Sequence, residues 1–200
     1  MARTKDPDAQ ARISHAVWEV LGERGPHGLT LRAVAERAGC TTGLVLHRFP
    51  DKRALLLHAR DLLHERTAAR TEALEATAET PRDALRAVLR QALSLTDETR
   101  QEARVWLGYL AAALDDEALA ERHRAGHGVF VARTRRLVAE IRPELTEAEV
   151  AATATVVVGF IEGVSTLSTA DDDHYDAAAQ LAALDRLLLV LGLDDETSDA

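Results

Sequence analysis

The 200-residue sequence is poor in cysteine, in aromatic residues and in long apolar runs. Its single cysteine, Cys40, cannot form a disulfide within the chain, and the polar N-terminal stretch lacks the apolar segment of a secretory signal. No uninterrupted apolar run approaches the roughly eighteen residues that a membrane helix requires. We therefore predict a cytosolic, cytoplasmic protein with no membrane partner.

The familiar sequence signatures of catalytic sites are also missing. There is no P-loop, no glycine-rich dinucleotide turn after a strand, no nucleophile elbow and no Cys/His zinc framework. We therefore expect no enzyme, no cofactor and no metal. What remains is a chain with 46% apolar and 28% charged residues, a composition that is typical of a globular protein.

The net charge of −9 is unevenly distributed. Residues 1–70 contain 12 Lys and Arg against 8 Asp and Glu, a net charge of +4, whereas residues 71–200 have a net charge of −13. A basic N-terminal third on an acidic body is the distribution expected of a nucleic-acid-binding module joined to a part with a second function.

Apolar residues recur every three or four positions along the chain, and signals for strands are nearly absent. This pattern predicts an all-α fold of about nine helices. In the fourth helix, Leu55 and Leu56 should point inward and Arg60 outward, and the acidic run 171–173 should cap the last helix. The predicted helices lie near residues 8–24, 30–37, 41–47, 51–78, 82–95, 98–114, 116–140, 146–169 and 174–191.

The second and third predicted helices are short and are joined by the turn Ala38-Gly39-Cys40. This arrangement is typical of a helix-turn-helix, whose second helix enters the major groove of DNA. That helix would begin with small residues, which allow a close approach to base edges. Basic side chains, including His47 and Arg48, follow where phosphate ligands are needed.

Residues 11–56 resemble the N-terminal DNA-binding domain of the TetR family of bacterial repressors. The matching features are Val34-Ala35 before Ala38-Gly39, the run Thr41-Thr42-Gly43, and Phe49 followed by Asp51-Lys52. One departure is Leu46, which stands where family members usually carry a phosphate-binding tyrosine. The resemblance implies phosphate contacts from Thr30, Cys40, His47, Arg48 and Lys52, and base contacts from Thr41, Thr42 and Gly43.

Each of these residues also has an ordinary structural interpretation. Thr30 and Thr41 can act simply as helix N-caps, which contribute about 1 kcal/mol each. Lys52 can be a solvated surface charge, and Cys40 a small packed residue rather than a redox sensor. Phe49 is expected in the core.

The resemblance also implies a domain organisation. A helix-turn-helix domain would occupy residues 8–68, and a helical bundle for ligand binding and dimerisation would occupy residues 80–193. Residues 104–114 bear a weaker likeness to the choline-responsive BetI subgroup of the family.

Two helices near the C-terminus carry apolar stripes wide enough for a homodimer interface. The alternative is that these stripes pack only within the monomer. The candidate interface residues are Val150, Ala154, Val157, Ile161, Leu181, Leu184 and Leu188.

Large amphipathic side chains on otherwise apolar helices are candidates for a ligand pocket. Glu162 would favour a cationic ligand or lie at the dimer rim, and the spacing of His123 and His127 is compatible with a metal, although no carboxylate ligand clearly shares their face. The candidate pocket residues are Trp106, Tyr109, His123, His127, Phe130, Phe160 and Glu162.

The resulting hypothesis is a homodimeric repressor that leaves a palindromic operator in double-stranded DNA when an unknown small-molecule effector binds. Choline-like cations, flavonoid-type aromatics and antibiotics are all open as effectors, and so is activation in place of repression. The alternative is an all-helical ligand-binding or scaffolding protein with a vestigial helix-turn-helix.

Overall fold

Residues 7–194 are the part of the chain that the computed structural model describes, and all their regular structure is α-helical. The all-α prediction is confirmed, with nine helices in this range. Their bounds are α1 Pro7–Gly28, α2 Leu31–Arg37, α3 Thr42–Arg48, α4 Lys52–Thr77, α5 Pro81–Ala92, α6 Asp97–Ala113, α7 Glu117–Ile141, α8 Glu147–Ser168 and α9 Ala177–Val190.

Threonine hydroxyls define the start of several helices. Thr80 accepts a hydrogen bond from the Asp83 backbone N–H at 3.1 Å, and Thr146 forms a reciprocal capping box with Glu149. These bonds satisfy N–H groups that have no partner within the helix.

The start of α9 differs from the prediction. Asp176, not the acidic run 171–173, is the N-cap, and its Oδ1 accepts from the Ala179 N–H at 2.7 Å. Asp171 instead accepts from the His174 N–H at 3.1 Å, within the preceding turn. Several acidic residues in series each suit a helix N-terminus, so local sequence did not specify which one begins the helix.

Two units divide the chain. The first runs to Glu65 and includes Arg104–His123, and the second contains Arg66–Ala103 and the chain from Arg124 onward. The segment 104–123 thus groups with the N-terminal helices rather than with the rest of the predicted C-terminal bundle. The functional boundaries 8–68 and 80–193 stay a prediction.

The core of the first unit joins its N-terminal helices to α6. Val17 and Leu21 of α1, Val45 of α3 and Leu55 of α4 are buried in one apolar cluster that also contains Tyr109. This packing holds the two short helices α2 and α3 on a rigid support.

The second unit has its own apolar cluster, in which Leu85 and Leu89 of α5 meet Val157 of α8 and Leu184 of α9. The same unit contains a partly buried ion pair: Arg70 of α4 binds Glu102, which is buried, and also Glu98 at 2.7 Å. Burying the Glu102 carboxylate is tolerated because the guanidinium satisfies it.

Helix α8 is unusually apolar. Within residues 7–194, its segment Glu147–Leu167 is the one helix long and apolar enough to cross a membrane by length and composition, with a mean hydropathy of 1.7. The run includes Thr153, Thr155 and Glu162, so the sequence-level rule of an uninterrupted apolar stretch did not detect it. Val150, Val157 and Ile161 of this helix lie in the core of the second unit, so part of its apolar character serves packing.

Candidate nucleic-acid interface and effector region

The first helix of the candidate interface, α2, begins at Thr30. The Thr30 backbone is extended, and its Oγ1 accepts a hydrogen bond from the Ala33 N–H at 3.1 Å. The N-cap interpretation of Thr30 is therefore confirmed. Its side chain is also exposed, which leaves the predicted phosphate contact sterically open.

An ion-pair cluster fixes the other end of α2 to α1. Arg37 donates to Glu23 at 2.9 Å and lies 3.2 Å from Glu19. The hydrogen bond to Glu23 raises the pKa of Arg37, and the same bond lowers the pKa of Glu23. Both groups stay charged across the physiological pH range.

The turn between α2 and α3 depends on Gly39. Gly39 has φ +63°, a left-handed conformation that side chains other than that of glycine rarely adopt. The Cys40 N–H then donates to the Ala35 carbonyl at 3.0 Å, which closes the end of α2. Cys40 is partly buried against the core of the first unit, as expected of a small packed residue.

Helix α3 has one buried side and one exposed side. Thr41 caps it by accepting from the Leu44 N–H at 3.3 Å. Val45 faces the core, whereas Thr42 and Gly43 are exposed. A Cβ at Gly43 would meet only the Thr41 hydroxyl, at 3.9 Å. The protein itself therefore does not require glycine at position 43.

Basic residues follow the exposed side of α3. His47 and Arg48 occupy its last turn, Lys52 begins α4, and all three side chains are exposed. Phe49 lies between them and is buried, as predicted. Its ring lies 5.0 Å from that of His58, which is within 2.8 Å of the Ser14 hydroxyl. Burial lowers the pKa of His58, and the positive charge of Arg48 lowers it further.

The pocket candidates of the first unit form a cluster. Tyr109 is fully buried and donates its hydroxyl hydrogen to the Leu119 carbonyl at 2.7 Å. The rings of Trp106 and His123 lie 5.0 Å apart. The guanidinium of Arg60 lies 4.9 Å from the centroid of the Trp106 ring.

The position of Arg60 differs from the predicted one. Arg60 is only 5% exposed rather than pointing to solvent. Its position follows Leu56 by four residues and precedes Leu63 by three, so it shares their buried helix face. That spacing was readable in the sequence, but the charge suggested the opposite orientation.

The pocket candidates of the second unit include one carboxylate. Glu162 lies 3.7 Å from His127, and both side chains are partly exposed. Phe130 and Phe160 are partly buried against the core of this unit. A separate surface depression of about 390 Å³, lined by Leu74, Asp83, Arg86, Ala87, Arg90 and Gln91, contains none of the predicted pocket residues.

His123 and His127 contact different partners, Trp106 and Glu162 respectively. Across residues 7–194, no group of three His, Cys, Asp or Glu side chains is arranged to hold a metal ion.

The predicted dimer residues need correction. Val150, Ala154, Val157, Ile161, Leu184 and Leu188 are buried inside a single protomer, and Leu181 packs against the same core. The first six side chains are therefore covered within one protomer, whereas Leu181 stays partly exposed. The exposed residues of α8 follow a different stripe, namely Ala152, Thr155, Val156, Gly159 and Leu167.

Three features define a helix-turn-helix DNA-binding regulator. They are a short helix packed on a supporting core, a tight glycine turn, and an exposed second helix flanked by basic residues. Comparison with known proteins gives the family. A model described as bacterial regulatory proteins of the tetR family matches residues 13–59, and one described as the C-terminal region of BetI-type transcriptional repressors matches residues 81–191. The chain belongs to the TetR family and is a transcriptional regulator with a BetI-type C-terminal domain.

Relatives support this assignment over most of the chain. The chain is 31% identical over 160 residues to the HTH-type transcriptional regulator BetI of Burkholderia ambifaria, covering 78% of this chain and 79% of the relative. A transcriptional regulator from a Rhodococcus species is similar in structure, with a TM-score of 0.82, 25% identity and coverage of 90% and 94%.

A regulator from Saccharomonospora viridis, solved in complex with choline, has the same fold. Its TM-score is 0.85 at 17% identity, covering 92% of this chain and 97% of that one.

Proposed function

We propose that this chain is a homodimeric repressor that binds a palindromic operator and is released by a small-molecule effector, acting in the cytoplasm by binding and without catalysis. The observation that carries the proposal is the exposed side of α3. Thr42 and Gly43 are exposed there, while the buried Val45 holds the helix to the core. A helix held in this way can enter the major groove with its small residues against base edges.

The charged residues around α3 suit phosphate binding. His47, Arg48 and Lys52 are exposed and lie at the end of α3 and the start of α4, where a groove-bound helix meets the DNA backbone. Each phosphate that is neutralised releases counterions, so affinity must fall as salt rises.

The exposed stripe on α8 supports a dimer. Four exposed residues, Ala152, Val156, Gly159 and Leu167, and the partly exposed Gly163 recur at three- or four-residue spacing. Val156 is 50% exposed. Small residues allow two helices to approach closely, and the apolar surface gains free energy when it is covered. A second copy of the same helix is the proposed partner, because a two-fold dimer matches a palindromic site.

Val156→Glu tests the interface. A buried glutamate without a partner would be costly, so the variant should be monomeric at concentrations where the wild type is dimeric in analytical ultracentrifugation. Val129→Glu is the matched control, because Val129 is equally exposed on α7. A dimeric Val156→Glu protein, or a monomeric wild type, would contradict the proposed interface.

For the effector, Glu162 favours a small organic cation of the choline type. Its carboxylate is partly buried, so an approaching cation would be attracted more strongly than in water. The Trp106 cluster is less suitable, since Arg60 already places a positive charge over the indole ring. The BetI-type C-terminal match and the choline complex of a protein with the same fold also support this class.

Isothermal titration with choline tests the effector class. Choline should bind, whereas 3,3-dimethylbutan-1-ol, its uncharged isostere, should bind at least tenfold more weakly. Glu162→Gln should abolish the difference between the two compounds. Equal binding of both compounds by the wild type, or no choline binding, would exclude a cation site at Glu162 and leave aromatic effectors and antibiotics as candidates.

Selection of genomic fragments by the purified protein, read by sequencing, tests DNA binding. The wild type should enrich a palindrome, and Thr42→Ala combined with Lys52→Ala should not. Arg100→Ala is a control for lost positive charge, because Arg100 lies on α6 and forms an ion pair with Asp97, three positions before it. No enriched sequence at low salt would favour the alternative, a ligand-binding protein with a vestigial helix-turn-helix. The position of an enriched site relative to promoters separates repression from activation.

A further inference from the structure

Leu46 is an apolar side chain on the exposed side of α3. It is 49% exposed, and it lies three and four positions after Gly43 and Thr42, so all three share one helix face. Leu44 and Val45, by contrast, pack on the core of the first unit. The folding of the protomer therefore does not account for a leucine at position 46.

The chemistry of leucine excludes a hydrogen bond to phosphate, because the side chain has neither donor nor acceptor. Three exposed basic residues, His47, Arg48 and Lys52, are already available nearby as phosphate ligands. An apolar group among them gains free energy only when an apolar surface covers it. In the major groove that surface is the C5-methyl group of thymine, which no other standard base carries.

We propose that Leu46 reads a thymine methyl group in each half-site of the operator, as a specificity-determining residue of the recognition helix. This inference rests on the proposed function, since it requires the exposed side of α3 to lie in the major groove. Gly43, with no side chain, lets the helix approach closely enough for a side chain of leucine length to touch the base edge.

Deoxyuridine substitution isolates the contact, since this nucleotide differs from thymidine only by the missing methyl group. The full-length protein is titrated with operator duplexes in which each thymine of one half-site is replaced in turn. Wild type should lose about fourfold in affinity at one position, the effect expected for one buried methyl group. Leu46→Ala should bind the thymine operator more weakly and should show no loss at that position.

Leu114→Ala is the control variant. Leu114 lies in the same unit and is 81% exposed, but it is far along the chain from the turn between α2 and α3. This variant should keep both the affinity and the deoxyuridine effect of the wild type. Leu46→Tyr should lose the deoxyuridine effect while gaining a hydroxyl that can donate a hydrogen bond to phosphate. Because the phenol is neutral, the slope of affinity against salt should stay that of the wild type.

The outcomes separate this inference from the proposed function. The role of Leu46 is overturned, and DNA binding is left intact, if a tightly bound duplex shows no position that is sensitive to methyl removal. The same conclusion follows if Leu46→Ala keeps the sensitivity of the wild type, or if the operator has no thymine in its half-sites. Failure to bind any duplex overturns both.

Discussion

The guanidinium of Arg60 lies over the indole ring of Trp106, with its carbon 4.9 Å from the ring centroid, and Trp106 packs against the core of the first unit. A buried cation over an aromatic face is stabilised by the ring quadrupole. Arg60 therefore covers one face of the Trp106 ring, which the sequence predicted to be a ligand contact.

A double-mutant cycle with Arg60→Met and Trp106→Phe measures this interaction. We expect a coupling free energy of about 0.5–2 kcal/mol, because phenylalanine offers a weaker ring quadrupole and methionine has no charge. The measurement is urea unfolding of the four proteins. Strictly additive effects would mean that the ring contributes by packing alone.

Gly43→Leu should reduce operator affinity at least tenfold without destabilising the protein. Position 43 is open in the structure, and leucine has a higher helix propensity than glycine. The new side chain would, however, keep α3 away from the base edges. Gly128→Leu, at another open and exposed helical glycine, should keep full affinity in the same gel-shift or anisotropy titration. An undiminished affinity of Gly43→Leu would contradict close approach at this position.

The pKa of His58 predicts how stability depends on pH. Burial lowers this pKa in the folded state, Arg48 lowers it further, and Asp61 and Glu65 oppose the shift. The unfolded chain therefore takes up a proton near pH 6.5 that the folded protein resists. The contribution of His58 to the free energy of unfolding is fully present above about pH 6.5 and is lost as the pH falls towards the lowered pKa.

Urea unfolding between pH 7.5 and pH 5 checks this prediction. His58→Gln should reduce the pH dependence of the unfolding free energy, by at most about 1.4 kcal/mol per pH unit, the limit for one proton. His174→Gln is the control, since that side chain is 85% exposed. An unchanged pH dependence in His58→Gln would refute the assignment.

Tyr109→Phe should destabilise the protein by about 1–2 kcal/mol. The variant deletes a buried hydroxyl that donates a hydrogen bond to the Leu119 carbonyl. That carbonyl stays in the core and loses its donor. Tyr175→Phe, at a partly exposed position, should have a much smaller effect in the same denaturation experiment. Choline binding in the second unit should be unaffected, whereas loss of choline binding in Tyr109→Phe would implicate Tyr109 in the effector site.

Local signals predicted the helix-turn-helix well. Thr30 and Thr41 begin the two short helices, and Gly39 provides the left-handed residue of the turn. Each of these roles depends on hydrogen bonds or backbone conformation within a few residues, so the neighbouring sequence is sufficient to specify it.

The buried faces of longer helices were harder to predict. In α8, apolar residues surround the helix, so periodicity did not distinguish the core residue Val157 from the exposed Val156. In α4, the charge of Arg60 concealed that its position belongs to the buried face. Both outcomes depend on which distant helices pack against the residue.

By itself, the sequence determined the all-helical fold, the helix-turn-helix and the separation of a basic N-terminal third from an acidic body. These properties follow from caps, turns, periodicity and composition, which act over short distances or as sums. Only the tertiary structure decided which apolar residues are buried inside one protomer and which, such as Leu46 and Val156, stay exposed for a partner. The physical reason is that burial is set by contacts between segments far apart in the chain, and helical spacing alone does not name the segment that will cover a given face.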